Sequence, residues 1–203
     1  MSIFKDTYKT IEKPYEGEVY KAKGSKFIGY AFPVIDESQV SEFINQLKSK
    51  HHKARHWCYA WQLGTEKIRF RSNDDGEPNN SAGQPIYGQI LSNEVTNILL
   101  VVVRYFGGTK LGVGGLISAY KIAAQYVLEV SDIIEKTIDV IFDISFEYKD
   151  LNKVLRIIKD NKVTVISQKM EYDCDFKISV RKNDFDKVKQ ALKDLRCIRI
   201  IEE

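Results

Sequence analysis

The sequence predicts an α+β protein of two domains, and three observations carry that prediction. Ile98 to Val103 is a run of six apolar residues, four of them β-branched, which suits a strand covered on both faces. The run passes through GGTKLGVGG (107–115) straight into an amphipathic stripe, Leu116, Tyr120, Ala123 and Val127, with Lys121, Gln125 and Glu129 opposite. From residue 135 onward the hydrophobic period changes in the order β-α-β-β-α-β, the ferredoxin-like arrangement. SDIIEK (131–136) reads as the linker, which divides the chain into domains 1–134 and 135–203.

In the first domain, a polar start leads to strands over Gly17–Tyr20 and Lys26–Val34, with KAKGSK as the turn between them. Asp36 or Ser38 can cap a helix whose Val40, Phe43, Ile44 and Leu47 recur at helical spacing. Lys48 to Lys53 form its basic end, matching the negative pole of the helix dipole. In ARHWCYAWQLG, strand alternation puts Trp57, Tyr59 and Trp61 on one face, the core face, and His56, Cys58 and Ala60 on the other. Lys67 to Arg71 supplies the paired strand of a hairpin. SNDDGEPNNSAGQP (72–85) is an irregular loop by its Gly, Pro, Asn and Asp content. Pro85 then suits the first turn of a short helix ending before Glu94.

In the second domain, Ile138, Val140, Phe142, Ile144 and Phe146 alternate as a half-buried strand, and Leu151, Val154, Leu155 and Ile158 stripe a helix. Val163–Tyr172 and Cys174–Lys182 are strands meeting near Asp173. Phe185, Val188, Leu192 and Leu195 mark a second helix, and Cys197–Ile201 a last strand. An RNA-recognition module shares this topology but displays aromatics on its open sheet face. Here Asp139, Asp143, Asp175, Lys177, Ser179, Arg181 and Arg199 take that face, which argues against base stacking by this domain.

Composition narrows the class. The net charge is +3, and the two domains carry 16 basic against 14 acidic residues and 15 against 14, so any polyanion site is a local patch. Three scattered cysteines give no disulfide framework and suit a reducing compartment. The start MSIFKDTYKT has no signal-like apolar core, and no stretch has the length of a membrane span. These features predict a cytoplasmic protein without membrane contact.

The candidate site gathers around the glycine loop. Backbone N–H groups of Gly107, Gly108, Gly112, Gly114 and Gly115 at a helix start favour an anion, with Lys110 beside them. The alternative is that the glycines only permit tight turning and close packing of helix on strand. Neither common phosphate motif fits, because Val113 stands where a P-loop needs lysine and Ile117 where a dinucleotide fingerprint needs glycine. Arg104 can pair with a loop carboxylate such as Asp74 or Asp75, or present its fork to phosphate. Arg55 and His56 follow His51, His52 and Lys53 and form a candidate nucleic-acid patch, with His51 and Lys53 read as a solvated helix end.

Three further chemistries bear on the same region. His56 and Cys58 share a strand face, but a Cys–His nucleophile lacks an evident orienting group, and no catalytic residue is assigned. Asp74, Asp75 and Glu77 do not follow the EF-hand pattern, since Arg71 would fall at the first ligand position. They read instead as structural loop carboxylates that cap backbone groups or pair with Arg55 or Arg104. No zinc-ligand spacing is present, so neither metal nor cofactor is expected.

Four blocks in order, KGSKFI (23–28), ARHWCYAW (54–61), DDGEPNNSAGQP (74–85) and VVVRYFGGTKLGVGGL (101–116), resemble the YigZ/Impact family. The resemblance implies a first domain folded like domain 2 of ribosomal protein S5. It implies a second domain similar to domain V of elongation factor G. It also implies regulation of translation, with RNA or the ribosome as partner and a protein partner as a further possibility. The expected function is therefore a translation-associated protein that binds through Arg55, His56, Arg104, Lys110 and the glycine loop. Two rivals stand beside it: an enzyme acting on a phosphorylated small molecule, which needs a concave pocket joining the glycine loop to residues 74–77, and a protein-interaction module.

Overall fold

The computed structural model describes residues 6–201; the first five residues of the polar start and the last two of the second domain lie outside the described residues. Two compact units form, Tyr8–Lys136 and a second from Thr137 onward that also takes in Asp6 and Thr7.

In the first unit β1 (Thr7–Ile11), β2 (Tyr15–Glu16), β3 (Tyr20–Ala22) and β4 (Ser25–Pro33) come first. They are followed by α1 (Glu37–Lys50), β5 (His56–Leu63), β6 (Arg69–Asn73), α2 (Gly83–Ser92), β7 (Ile98–Tyr105) and α3 (Val113–Glu129). The main sheet has the order β2-β4-β7-β5-β6, with β3 also paired to β4, and every neighbouring pair is antiparallel. β7 is central, and Ile98 to Val103 are all fully buried. One face packs Phe27, Ala31, Cys58, Ala60, Leu100 and Val102 under α2 and α3; the other packs Tyr30, Phe32, Trp61, Leu99 and Val101 under α1. Both faces of β5 are therefore core, not the Trp/Tyr face alone. Gly17 to Val19 fall outside the strands, and the hairpin turns tightly at Lys23-Gly24.

Asp36 caps α1 by accepting from the Gln39 N–H at 2.9 Å. The helix ends one residue before His51, and His51 is not a solvated end as its basic neighbours suggest. It is buried, with Nε2 2.7 Å from the Tyr30 hydroxyl and Nδ1 2.8 Å from the Tyr105 hydroxyl. Burial, with Lys50 nearby, holds its pKa below the ordinary 6.5. The folded state thus prefers the neutral ring. That contribution is complete above the unfolded pKa and is lost as pH falls through about 6.5 and below. The thermal midpoint is expected to drop between about pH 7 and about pH 5, and His51→Gln should flatten that part of the profile while lowering stability at neutral pH. A variant profile parallel to the parent's would show that another group titrates.

Gly29 sets the depth at which α3 lies on the sheet: a β-carbon there would stand 2.3 Å from the Ala123 carbonyl oxygen. The segment expected as linker is instead a strand, β8 (Ile133–Thr137), paired with β1, and the division between units falls after Lys136.

The second unit contains β9 (Asp139–Glu147), α4 (Leu151–Asp160), β10 (Thr164–Met170), β11 (Asp173–Arg181), α5 (Phe185–Asp194) and β12 (Ile198–Ile201). Its sheet order, β10-β11-β9-β12, is the ferredoxin-like one. Phe142, Ile144, Phe146, Phe176 and Ile178 point under the helices with Val154, Val188 and Leu192. Leu155 leaves the predicted stripe and is exposed. Arg181 closes on Asp6 with two hydrogen bonds, and the guanidinium holds the Asp6 carboxyl below its usual range.

Candidate nucleic-acid or anion site

Three pieces of chain meet at one end of the central strands. β7 runs out through Arg104, Tyr105 and Phe106; β5 begins beside it at His56; and the loop after β6 folds back over both. Pairing extends past the strand, because the Arg55 N–H donates to the Arg104 carbonyl at 3.1 Å. Between these pieces and the start of α3 lies a concave cleft of about 480 Å³. Arg55, His56, Glu77, Arg104, Phe106 and Lys110 line it, along with Pro78, Leu111, Gly112, Val113 and Leu116.

The loop carboxylates have separate tasks. Asp74 accepts from the N–H groups of Asn80, Ala82 and Gly83, tying down the start of α2, where Ala82 offers no side-chain cap. Asp75 accepts from the Trp57 N–H at 2.7 Å, and its carbonyl lies 2.9 Å from His56 Nδ1. Of the loop carboxylates expected to cap backbone groups or pair with an arginine, Glu77 is the partner of Arg104. Asp74 and Asp75, the two singled out for that pairing, are taken by backbone N–H groups. The Glu77 Oε1 takes Arg104 Nη1 at 2.5 Å, with the two side chains only 6% and 5% exposed. The same oxygen accepts from the Tyr120 hydroxyl at 2.8 Å, which in turn accepts from the Cys58 thiol at 3.3 Å.

This buried chain fixes the chemistry of Cys58. Burial pushes the thiol well above its ordinary pKa, and its single proton is shared between the Tyr120 hydroxyl oxygen and the Asp74 carbonyl, the latter at 3.0 Å. A thiol held this way is a small hydrophobe with a satisfied proton rather than a nucleophile. Tyr120, likewise pushed up by burial, keeps its proton for Glu77.

The glycines divide by role. Gly107 belongs to the scaffold: its N–H donates to Ser25 Oγ at 3.2 Å, and its α-carbon faces Gly24. Gly108 and Gly112 take positive φ, at 88° and 78°. Gly112 is the N-cap of α3 and has no side chain to satisfy the first turn. The Leu116 N–H reaches the Gly112 carbonyl, whereas the amides of Val113, Gly114 and Gly115 meet no acceptor among the described residues. Lys110 and Arg55 are exposed, and neither has a carboxylate partner among the described residues. With the Arg104–Glu77 charges cancelling, the cleft is left with an excess of positive charge.

Of the residues the sequence singles out, Arg55, His56, Arg104, Glu77, Lys110 and Gly112 line this cleft, and Gly107, Gly108, Gly114 and Gly115 are not among its lining residues. Sequence reasoning misses Phe106 on the surface and Ser25 and Tyr120, which are buried behind it. Phe106 is 40% exposed, with the guanidinium carbons of Arg104 and Arg55 at 5.5 and 5.8 Å from its ring centre. Its one signal was an aromatic residue carried beyond the apolar run into the glycine loop. Tyr120 could have been flagged as a hydroxyl within an otherwise apolar stripe.

Residues 23–128, which contain every side chain of this cleft, match the Impact N-terminal domain. The chain belongs to the Impact family. It is 33% identical over 156 residues to the IMPACT family member YvyE of Bacillus subtilis, covering 77% of this chain and 71% of that one. It is 38% identical over 104 residues to the IMPACT family member YigZ of Escherichia coli, covering 50% and 51% of the two chains. The Protein IMPACT homolog of Saccharomyces cerevisiae is 34% identical over 108 residues, 49% of this chain and 41% of that one. A crystal structure described as that of a hypothetical protein has the same two-domain fold, with a TM-score of 0.74, 24% identity and 98% of both chains covered.

Proposed function

We propose that this Impact-family chain acts in the regulation of translation by binding RNA, on or off the ribosome, through the cleft of its first domain. The observation that carries the reading is the convergence of Arg55, Lys110 and the start of α3, with the unsatisfied amide of Val113, on one concave surface. Family membership supports the role in translation. The second domain, whose open sheet face mixes charged residues with exposed Ile141 and Ile201, orients the first or meets a protein.

Phosphate contact predicts a steep loss of affinity with salt. Titrating fluorescent RNA with the whole chain, Lys110→Ala and Arg55→Ala are each expected to weaken binding several-fold and to reduce the salt slope by about one. Co-sedimentation with ribosomal particles should follow the same salt dependence. Affinities unchanged in both variants, with the fold intact, would remove the cleft from the reading.

One observation favours the small-molecule rival: the cleft does join the glycine loop to Glu77 and Pro78, as a phosphorylated ligand would require. The carboxylates are poorly placed for acid–base work there, since Glu77 is engaged by Arg104 and Tyr120 and Asp74 and Asp75 by backbone N–H groups.

A further inference from the structure

The lining of the cleft is not what a duplex backbone alone requires. A surface that tracks a double helix needs cations and amides; this one also has Phe106, Leu111, Val113, Leu116 and Pro78. Phe106, 40% exposed, lines the cleft just past the end of β7, whose residues Ile98 to Arg104 are buried. Exposing that ring is unfavourable in water, and nothing in the packing of the sheet demands it. Arg104 is fixed by its pair with Glu77. Arg55, by contrast, is exposed and bound to no carboxylate among the described residues, so its guanidinium can leave the ring or close over a group placed on it. An aromatic face with a loose guanidinium beside it is a platform for a planar, apolar-faced group. Of the phosphate-seeking groups, Lys110 and Val113, the first residue of α3, line the same cleft, and the unpaired amides of Gly114 and Gly115 follow in the same first turn. A volume of about 480 Å³ lies in the range of small-ligand sites and far below what a double helix occupies.

We infer that the cleft takes one nucleoside monophosphate unit, its base stacked on Phe106 and capped by Arg55, its phosphate held by Lys110 and the first turn of α3. The inference rests on the proposed anion-binding role of this cleft and narrows it. Such a unit comes from an unpaired residue of single-stranded RNA or from a free nucleotide. In paired RNA the bases are stacked on one another and their faces are closed to the ring.

The test uses the whole chain and four probes at fixed moderate salt: a U12 and an A12 single strand, a 12-base-pair RNA duplex, and 5′-AMP. Both single strands are expected to bind at least about ten-fold more tightly than the duplex. Phe106→Leu, which keeps an apolar side chain without a π face, should weaken single-strand binding at least about five-fold and leave duplex binding unchanged. Phe106→Tyr should restore it. Binding of 5′-AMP that is lost in Phe106→Leu, with no binding of either RNA, supports the same cleft chemistry with a free nucleotide as its source and overturns the RNA reading. Equal affinity for single strand and duplex, with no effect of Phe106→Leu, overturns the nucleotide site and leaves RNA binding standing. No binding of any probe overturns both.

Discussion

Replacing Glu77 with leucine is expected to lower the free energy of unfolding by about 3–5 kcal/mol, because it strands a buried guanidinium without its counter-charge. Arg104 is 5% exposed, Nη1 donates to Glu77, Nη2 reaches Ser25 Oγ only at 3.4 Å, and Nε already has no partner. Removing the carboxylate also leaves the buried Tyr120 hydroxyl without its acceptor. Urea unfolding of the parent, Glu77→Leu, Arg104→Met and the double variant measures this directly. The double variant should recover much of the loss, since two apolar side chains leave no buried charge unpaired. A single-variant loss below about 1 kcal/mol, or a double variant as unstable as the sum of both, would show that the pair is solvated and not a structural element of the cleft. Arg104 is consequently a poor probe of ligand binding; Lys110 and Arg55 are the informative positions.

Gly107→Ala is expected to cost about 3 kcal/mol or more, as a clash that no side-chain rotation relieves. The added β-carbon would stand 1.9 Å from the Gly24 carbonyl carbon, 2.2 Å from its oxygen and 2.3 Å from the Ser25 nitrogen, all backbone atoms. The hairpin between β3 and β4 would have to move away from the end of β7. Gly114→Ala is the matched control. Nothing lies within 4 Å of its β-carbon and its φ is an ordinary one, so it should be neutral or slightly stabilising. Thermal or chemical unfolding ranks the two; similar midpoints would mean the contact between the hairpin and the glycine loop gives way without cost.

Much of the architecture was legible in local pattern. The six apolar residues 98–103, the stripe Leu116–Val127 and the alternation of Val140 to Phe146 each state a period, and a period fixes both the element and its buried face. Residue type narrowed the cap of α1 to Asp36 or Ser38, and the structure gives it to Asp36. Segment 131–136 misled because strand β8 is short, mostly polar and paired at the margin of the unit, where no alternation of burial marks it. His51 misled because its neighbours are charged, while its own environment is set by Tyr30 and Tyr105, distant in the chain.

What the sequence by itself determined is the pair of folds and the chemical types gathered near the glycine loop, since both depend on neighbours a few residues apart. Only the tertiary structure decided which of those groups are spent on the protein and which remain for a ligand. Arg104 and Glu77 are 27 residues apart and Glu77 and Tyr120 are 43 apart, so their pairing follows from the path of three elements around the sheet. The desolvation that commits a buried charge to its partner, and leaves Lys110 and Arg55 uncommitted at the surface, is a property of position in space and has no local sequence signal.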